Sequence, residues 1–232
     1  MKKNVWLVFI WFLGVGLLRG QDSIRHPDFT FYLEDQLFFQ LSYVSLRNLY
    51  PDVKQLGFSH AYAFGFIRDI PLNKRRNIGL GVGLGYGKDL YYQNLKVIVD
   101  ETDGTVSYQL IQPGDYKSNL FAVKKLILPI EVRLRTSTPK KYKFWRLYTG
   151  MTFSYVTDAF SEFENDFATV RYRHLSFLTN RWQYGIHLYI GYGELNAYIY
   201  YGLNDLFSPQ VKVNGEHIPL YDVKFGIMLT FL

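Results

Sequence analysis

Five histidines, His26, His60, His174, His187 and His217, are the residues best suited to metal or acid–base chemistry in this chain of 232. No two stand at an HxH or HExxH spacing, and no cysteine is present to complete a metal site. The densest group of reactive residue types is DAFSEFENDFATVRYRHLSF, which holds Asp158, Glu162, Glu164, Asp166, His174 and Ser176. Acids, a histidine and a serine on one loop could support acyl transfer or hydrolysis, with the imidazole taking the hydroxyl proton. A solvated charged loop has the same composition and is far commoner. A third candidate is NIGLGVGLGYGKDL, where Gly79, Gly81, Gly83, Gly85 and Gly87 fall on every second position. A pyrophosphate-binding GxGxxG turn needs a spacing of two and then three, followed by a helix. Here the period is two throughout. These residues therefore predict no catalytic group, no metal, no cofactor and no small-molecule substrate.

Period two means a strand, with Ile78, Leu80, Val82, Leu84 and Tyr86 on the face opposite the glycines. A helix is excluded because each of the five glycines would cost about 1 kcal/mol relative to alanine. Seven further stretches alternate in the same way: 37–44, 61–66, 126–135, 145–155, 182–192, 195–203 and 221–231. Eight strands at or near the length of a tilted membrane strand form an even count, the rule for bacterial outer-membrane barrels. Their joints alternate short and long. Ile70 to Arg76, Thr136 to Lys141, and Gly193 with Glu194 are short. Asn48 to Gly57, Lys88 to Leu120, Thr157 to Leu178, and Asn204 to Ile218 are long. Tight periplasmic turns and long outer loops give this asymmetry. The expected fold is all-β, an eight-stranded antiparallel transmembrane β-barrel over residues 36–232.

A lipocalin-like barrel or a β-sandwich also alternates apolar and polar residues. With the bulky Leu, Ile, Phe and Tyr pointing inward, eight such strands would overfill the interior and leave bare glycine backbone outside. Turned inside out, the pattern is satisfied: apolar side chains meet lipid, and small or polar ones fill a narrow lumen. Residues 1–20 fit this route, with Lys2 and Lys3 before an apolar run from Val5 to Leu18 and a small residue at Gly20. That run is short for a membrane anchor and reads as a cleaved signal peptide. Residues 21–35 would then be a periplasmic N-terminal segment, and the barrel would sit in the cell outer membrane. Without Lys2, Lys3 and Arg19, the formal charge falls from +6 to +3. That is too mild and too scattered for a nucleic-acid surface.

The glycine row leaves one wall of the lumen empty for bulky residues opposite. Its expected occupants are Arg133, Arg135, Arg146, Tyr148, His187, Tyr189, Tyr198 and Tyr200, with Glu131 the clear acid among them. A buried charge needs a partner, so Glu131 is expected to pair with Arg133, Arg146 or another lumen cation. His187 is read as a hydrogen-bonded filler, and the lumen as plugged.

Three stretches carry a family resemblance: GFIRDIPLNKRRNIGLGVGLGYG from Gly65, PIEVRLRTSTPKKYKFWRLYTG from Pro129, and RWQYGIHLYIGYGELNAYIYYGLNDLF from Arg181. They resemble the PorT-like outer-membrane β-barrels of Bacteroidetes over most of the mature chain. The resemblance implies a non-enzymatic accessory barrel of type IX secretion, which exports cargo carrying a C-terminal signal. Its partners would be outer-membrane lipid and other proteins of the secretion machine. The basic turns Lys74-Arg75-Arg76 and Pro139 to Lys143 are the natural periplasmic docking points, against the plainer reading of solvated turns.

Overall fold

A computed structural model describes residues 35–47, 53–100, 102, 106–112, 114–136, 144–209, 211–213, 216–217 and 219–231. The expected signal peptide, residues 21–34 of the N-terminal segment and the basic turn at 139–143 lie outside the described residues. Among the described residues thirteen strands follow one another: β1 (Gln36–Arg47), β2 (His60–Pro71), β3 (Ile78–Tyr92), β4 (Leu95–Val99), β5 (Val106–Leu110), β6 (Ser118–Arg135) and β7 (Trp145–Glu164). Then come β8 (Thr169–Tyr172), β9 (Trp182–Tyr192), β10 (Leu195–Gly202), β11 (Lys212–Val213), β12 (Glu216–His217) and β13 (Tyr221–Phe231).

Eight of these form the barrel, in the order β1-β2-β3-β6-β7-β9-β10-β13. Every neighbouring pair is antiparallel, and the ring closes where Leu37 of β1 lies opposite Phe231 of β13. A closed ladder leaves no barrel edge unpaired, which is what a hydrocarbon environment demands of a strand. All eight sequence-predicted strands are present, as are the short joints at Ile70 to Arg76 and at Gly193 with Glu194. All but Thr136 of the joint from Thr136 to Lys141 lies outside the described residues. β4 with β5 and β11 with β12 are hairpins inside two of the long connections.

Alternation sorts the faces as expected through the middle of the wall. Leu37, Phe39, Leu41, Leu126, Leu128, Val132, Ile186, Ile190 and Ile227 are exposed on the outside. Aromatic pairs mark both ends of that band. Trp145 and Tyr192 meet at 5.5 Å near the short turns, and Tyr155 and Trp182 at 5.1 Å near the long loops. Ten residues of β7 separate the two pairs. At about 3.3 Å per residue and a tilt of about 40°, that is about 25 Å, the height of an outer-membrane apolar band.

The long joints differ from the sequence expectation. β3, β6 and β7 run on through much of what alternation assigns to loops, reaching Tyr92, Ser118 and Glu164. There both faces of the wall are covered. Tyr91, Phe121, Val123, Val156 and Ala159 pack inside with Leu95 and Val97 of β4 and with Leu206, Phe207 and Leu220. Leu90, Leu120, Ala122 and Phe160 pack together on the other face. A strand buried on both faces loses its polar–apolar rhythm, so the period-two signal stops before the strand does. The outer half of the interior is therefore an apolar core, not the polar filling expected throughout.

Candidate functional site

The glycine row lies on the lumen side of β3, and all five glycines are buried. At Gly83 an added Cβ would come within 2.7 Å of Ile67 Cγ1, 2.7 Å of the Phe66 carbonyl oxygen and 2.9 Å of Pro129 Cγ. At Gly81 it would meet Arg133 Nε at 2.6 Å and Glu131 Cγ at 2.8 Å. The missing side chains are the space that the lumen charges occupy. Phe38 and Ile127 fill the room above Gly85 and Gly87 in the same way, at 2.8 and 2.7 Å.

Glu131 sits at the centre of that space, 1% exposed. It accepts from Arg133 Nε at 2.8 Å and Tyr189 OH at 2.6 Å, and its other oxygen lies 3.1 Å from His187 Nε2. The His187 Nδ1 lies 2.8 Å from Thr152 Oγ1, so both ring nitrogens are engaged. Arg133 continues to Asp69 at 3.2 Å and Gln36 at 3.3 Å, with its guanidinium 4.9 Å from the Tyr148 ring centre. Arg135 forks onto both oxygens of Asp69 at 2.9 and 2.8 Å. Fork-on-carboxylate pairing is the geometry in which a buried ion pair is best satisfied.

Of the expected lumen charges and histidine, Glu131, Arg133, Arg135 and His187 thus share one network with Asp69. Arg146 stands apart from it. Its guanidinium donates to Thr230 Oγ1 and lies 4.6 Å from the Phe144 ring centre.

Glu131 is not the only lumen acid, as the sequence suggested. Asp69 is one more, and Asp89 anchors a second cluster toward the outer end. Asp89 accepts from Lys125 at 2.5 Å, Lys224 at 2.6 Å and Tyr91 OH at 3.1 Å. Lys224 also pairs with Asp222 at 3.2 Å. Both missed acids continue the inward parity of their strands, Ala63-Gly65-Ile67-Asp69 and Gly83-Gly85-Gly87-Asp89. That parity was the available signal. Between the clusters remains a void of about 40 Å³, lined among others by Gln40, Ala63, Thr152, His187, Tyr198 and Lys224. It has room for about three water molecules.

Of the basic turn, Lys74 and Arg75 are exposed. Arg76 is held in the left-handed region at φ 56°, where few non-glycine residues sit. Its carbonyl accepts from Arg135 Nε at 2.6 Å, which ties the turn to the lumen network.

The outer-loop residues do not converge. His174 is 88% exposed and lies 3.6 Å from Asp158. Ser176 is buried in a short 3-10 turn, where its carbonyl accepts from Thr179 Oγ1. Glu162 pairs with Arg171 at 3.4 Å and Asp166 with Lys117 at 3.1 Å. His60 stacks between Phe58 and Tyr92. His26 and the side chain of His217 lie outside the described residues.

No curated protein matches this sequence. Among solved structures the chain is similar to Ail, the attachment invasion locus protein of Yersinia pestis. The identity is 9% and the TM-score 0.32, over 85% of this chain and 99% of that one. The model of the outer membrane protein beta-barrel domain matches residues 21–208. With that match covering most of the chain and seven of the eight strands of a wall that is apolar outside and polar within, the chain belongs to the outer membrane protein beta-barrel domain family.

Proposed function

We propose that the protein is a non-enzymatic barrel with a closed lumen, which serves type IX protein secretion through its surfaces and uses no cofactor. The observation that carries the closed lumen is its double filling. One buried charge cluster occupies the membrane-spanning half, a second lies at its outer edge, and an apolar core occupies the outer end. An eight-stranded wall encloses only enough room for such side chains, so no folded cargo can pass through it. The secretion role is supported by the PorT-like stretches at 65–87, 129–150 and 181–207.

Any contribution to export must then come from outward groups: the periplasmic turns, the N-terminal segment at 21–35, the outer loops or the lipid-facing wall. Lys74 and Arg75 are the exposed charges nearest to hand for a periplasmic partner. In a strain lacking this protein, cargo should accumulate in the periplasm with its C-terminal signal still attached. Normal cargo export in that strain would end the secretion reading and leave the fold untouched. Reversing the charges of Lys74 and Arg75, with Arg76 kept because its backbone holds Arg135, should remove a partner from a crosslinked pull-down. An unchanged partner set would return the turn to simple solvation.

A further inference from the structure

Just beyond the lipid band, the outer wall carries charges that its own strands do not balance. Along β3 and β6, Tyr86 lies opposite Leu126, and the next outward-facing pair is Lys88 opposite Lys124. Like charges placed directly opposite on antiparallel strands repel and destabilise the pair. Asp158 answers one of them, 3.1 Å from Lys124. Among the described residues no acid lies within ion-pair distance of Lys88. A third cation, Arg171, reaches over from β8 and pairs with Glu162.

All three cations converge on the ring of Phe160. Arg171 lies 4.3 Å from its centre, Lys88 5.0 Å and Lys124 5.9 Å. Phe160 is itself buried with Leu90, Leu120 and Ala122, and Tyr62 and Tyr92 pack against them. The cations therefore stand on a fixed apolar floor, and not on mobile side chains alone. His174 also lies 3.6 Å from Asp158.

We propose that Lys88, Lys124 and Arg171 bind the phosphate of an anionic, phosphorylated lipid in the outer leaflet. The lipid chains would run down over Tyr86, Leu126 and Tyr155, which face outward one step below on the same strands. Glu162 acts on Lys88 only from beyond ion-pair distance, so a phosphate supplies a direct counter-charge and relieves the Lys88–Lys124 repulsion. The depth also fits. Phosphate headgroups lie where an outer-membrane apolar band ends; Lys88 and Lys124 occupy the first outward positions past it, and Arg171, opposite Glu162 further out, reaches back to the same Phe160 ring.

The test uses the full-length protein in zwitterionic detergent. Binding of diphosphorylated lipid A, of phosphatidylcholine and of inorganic phosphate is followed by native mass spectrometry. Lipid A should be retained by the parent, and weakened roughly fivefold for each cation removed in Lys88→Gln and in Lys88→Gln/Arg171→Gln. Lys88→Arg should keep parental affinity, as should Lys117→Gln, a cation outside the cluster. Heat-modifiable migration on gels checks that each variant is folded. Should the double variant fail that check, the single Lys88→Gln change carries the test. Equal lipid A binding by parent and Lys88→Gln would overturn the proposal, as would equal retention of phosphatidylcholine or no lipid A binding at all. Full displacement of lipid A by equimolar inorganic phosphate would assign a free-phosphate site and overturn the lipid.

Discussion

At Gly83 a side chain has nowhere to go. Ile67, Pro129 and the Phe66 carbonyl close the space from three sides, two of them near backbone or a rigid ring. Gly83→Leu should therefore prevent the barrel from forming, read as loss of the heat-modifiable band on unboiled gels. Gly79→Ala is the matched control. There the nearest atoms are Asp69 Oδ1 at 3.0 Å and the Ile70 carbonyl at 3.4 Å, so the band should survive. If Gly83→Leu folds like the parent, the glycines are not clearing space for the lumen. Asp69 poses the electrostatic counterpart, because one carboxylate serves both Arg133 and Arg135 with no exposed area on either side of the pairs. Asp69→Asn should cost about 3 to 5 kcal/mol, since it leaves two buried guanidiniums short of a counter-charge. Urea unfolding from lipid vesicles measures it.

The eight barrel strands were legible because lipid outside and a crowded lumen inside enforce alternation at every residue. The Glu131–Arg133 pair was legible too, since residues two apart on a strand share a face. Asp69 and Asp89 were not, although parity placed them inward. Asp69 runs straight into Ile70 and Pro71, and Asp89 follows Lys88, so both look like the start of a polar joint. The outer extensions of β3, β6 and β7 escaped notice for a different reason. Apolar packing on both faces erases the rhythm that marks a strand, and β8 is only four residues long. On the lipid face the same logic gives a graded prediction. Leu128→Arg, Val132→Arg and Ile227→Arg should each cost about 2 to 4 kcal/mol near the midplane, with less effect toward either aromatic girdle. Uniform small losses at all three positions in vesicle unfolding would show that this face does not meet hydrocarbon.

For the whole molecule, membrane span and lumen filling lead to the same conclusion. The apolar outer band places the barrel in the outer membrane, while the interior holds two salt-bridged clusters and an apolar cap where a pore would need water. A barrel built this way leaves for partners only its surfaces: the exposed Lys74 and Arg75 at one end, loops at the other, and a cationic rim where the wall leaves the lipid. Secretion partners and a phosphorylated lipid are proposals about those surfaces, and each stands or falls alone. The closed lumen underlies all of them, and single-channel recording of the purified protein in planar bilayers tests it most directly. Eight strands filled by Glu131, Arg133, Asp69, Asp89, Lys125 and Lys224 should give no stable conductance steps across a range of voltages. Reproducible open steps from the folded, heat-modifiable protein would contradict a closed lumen.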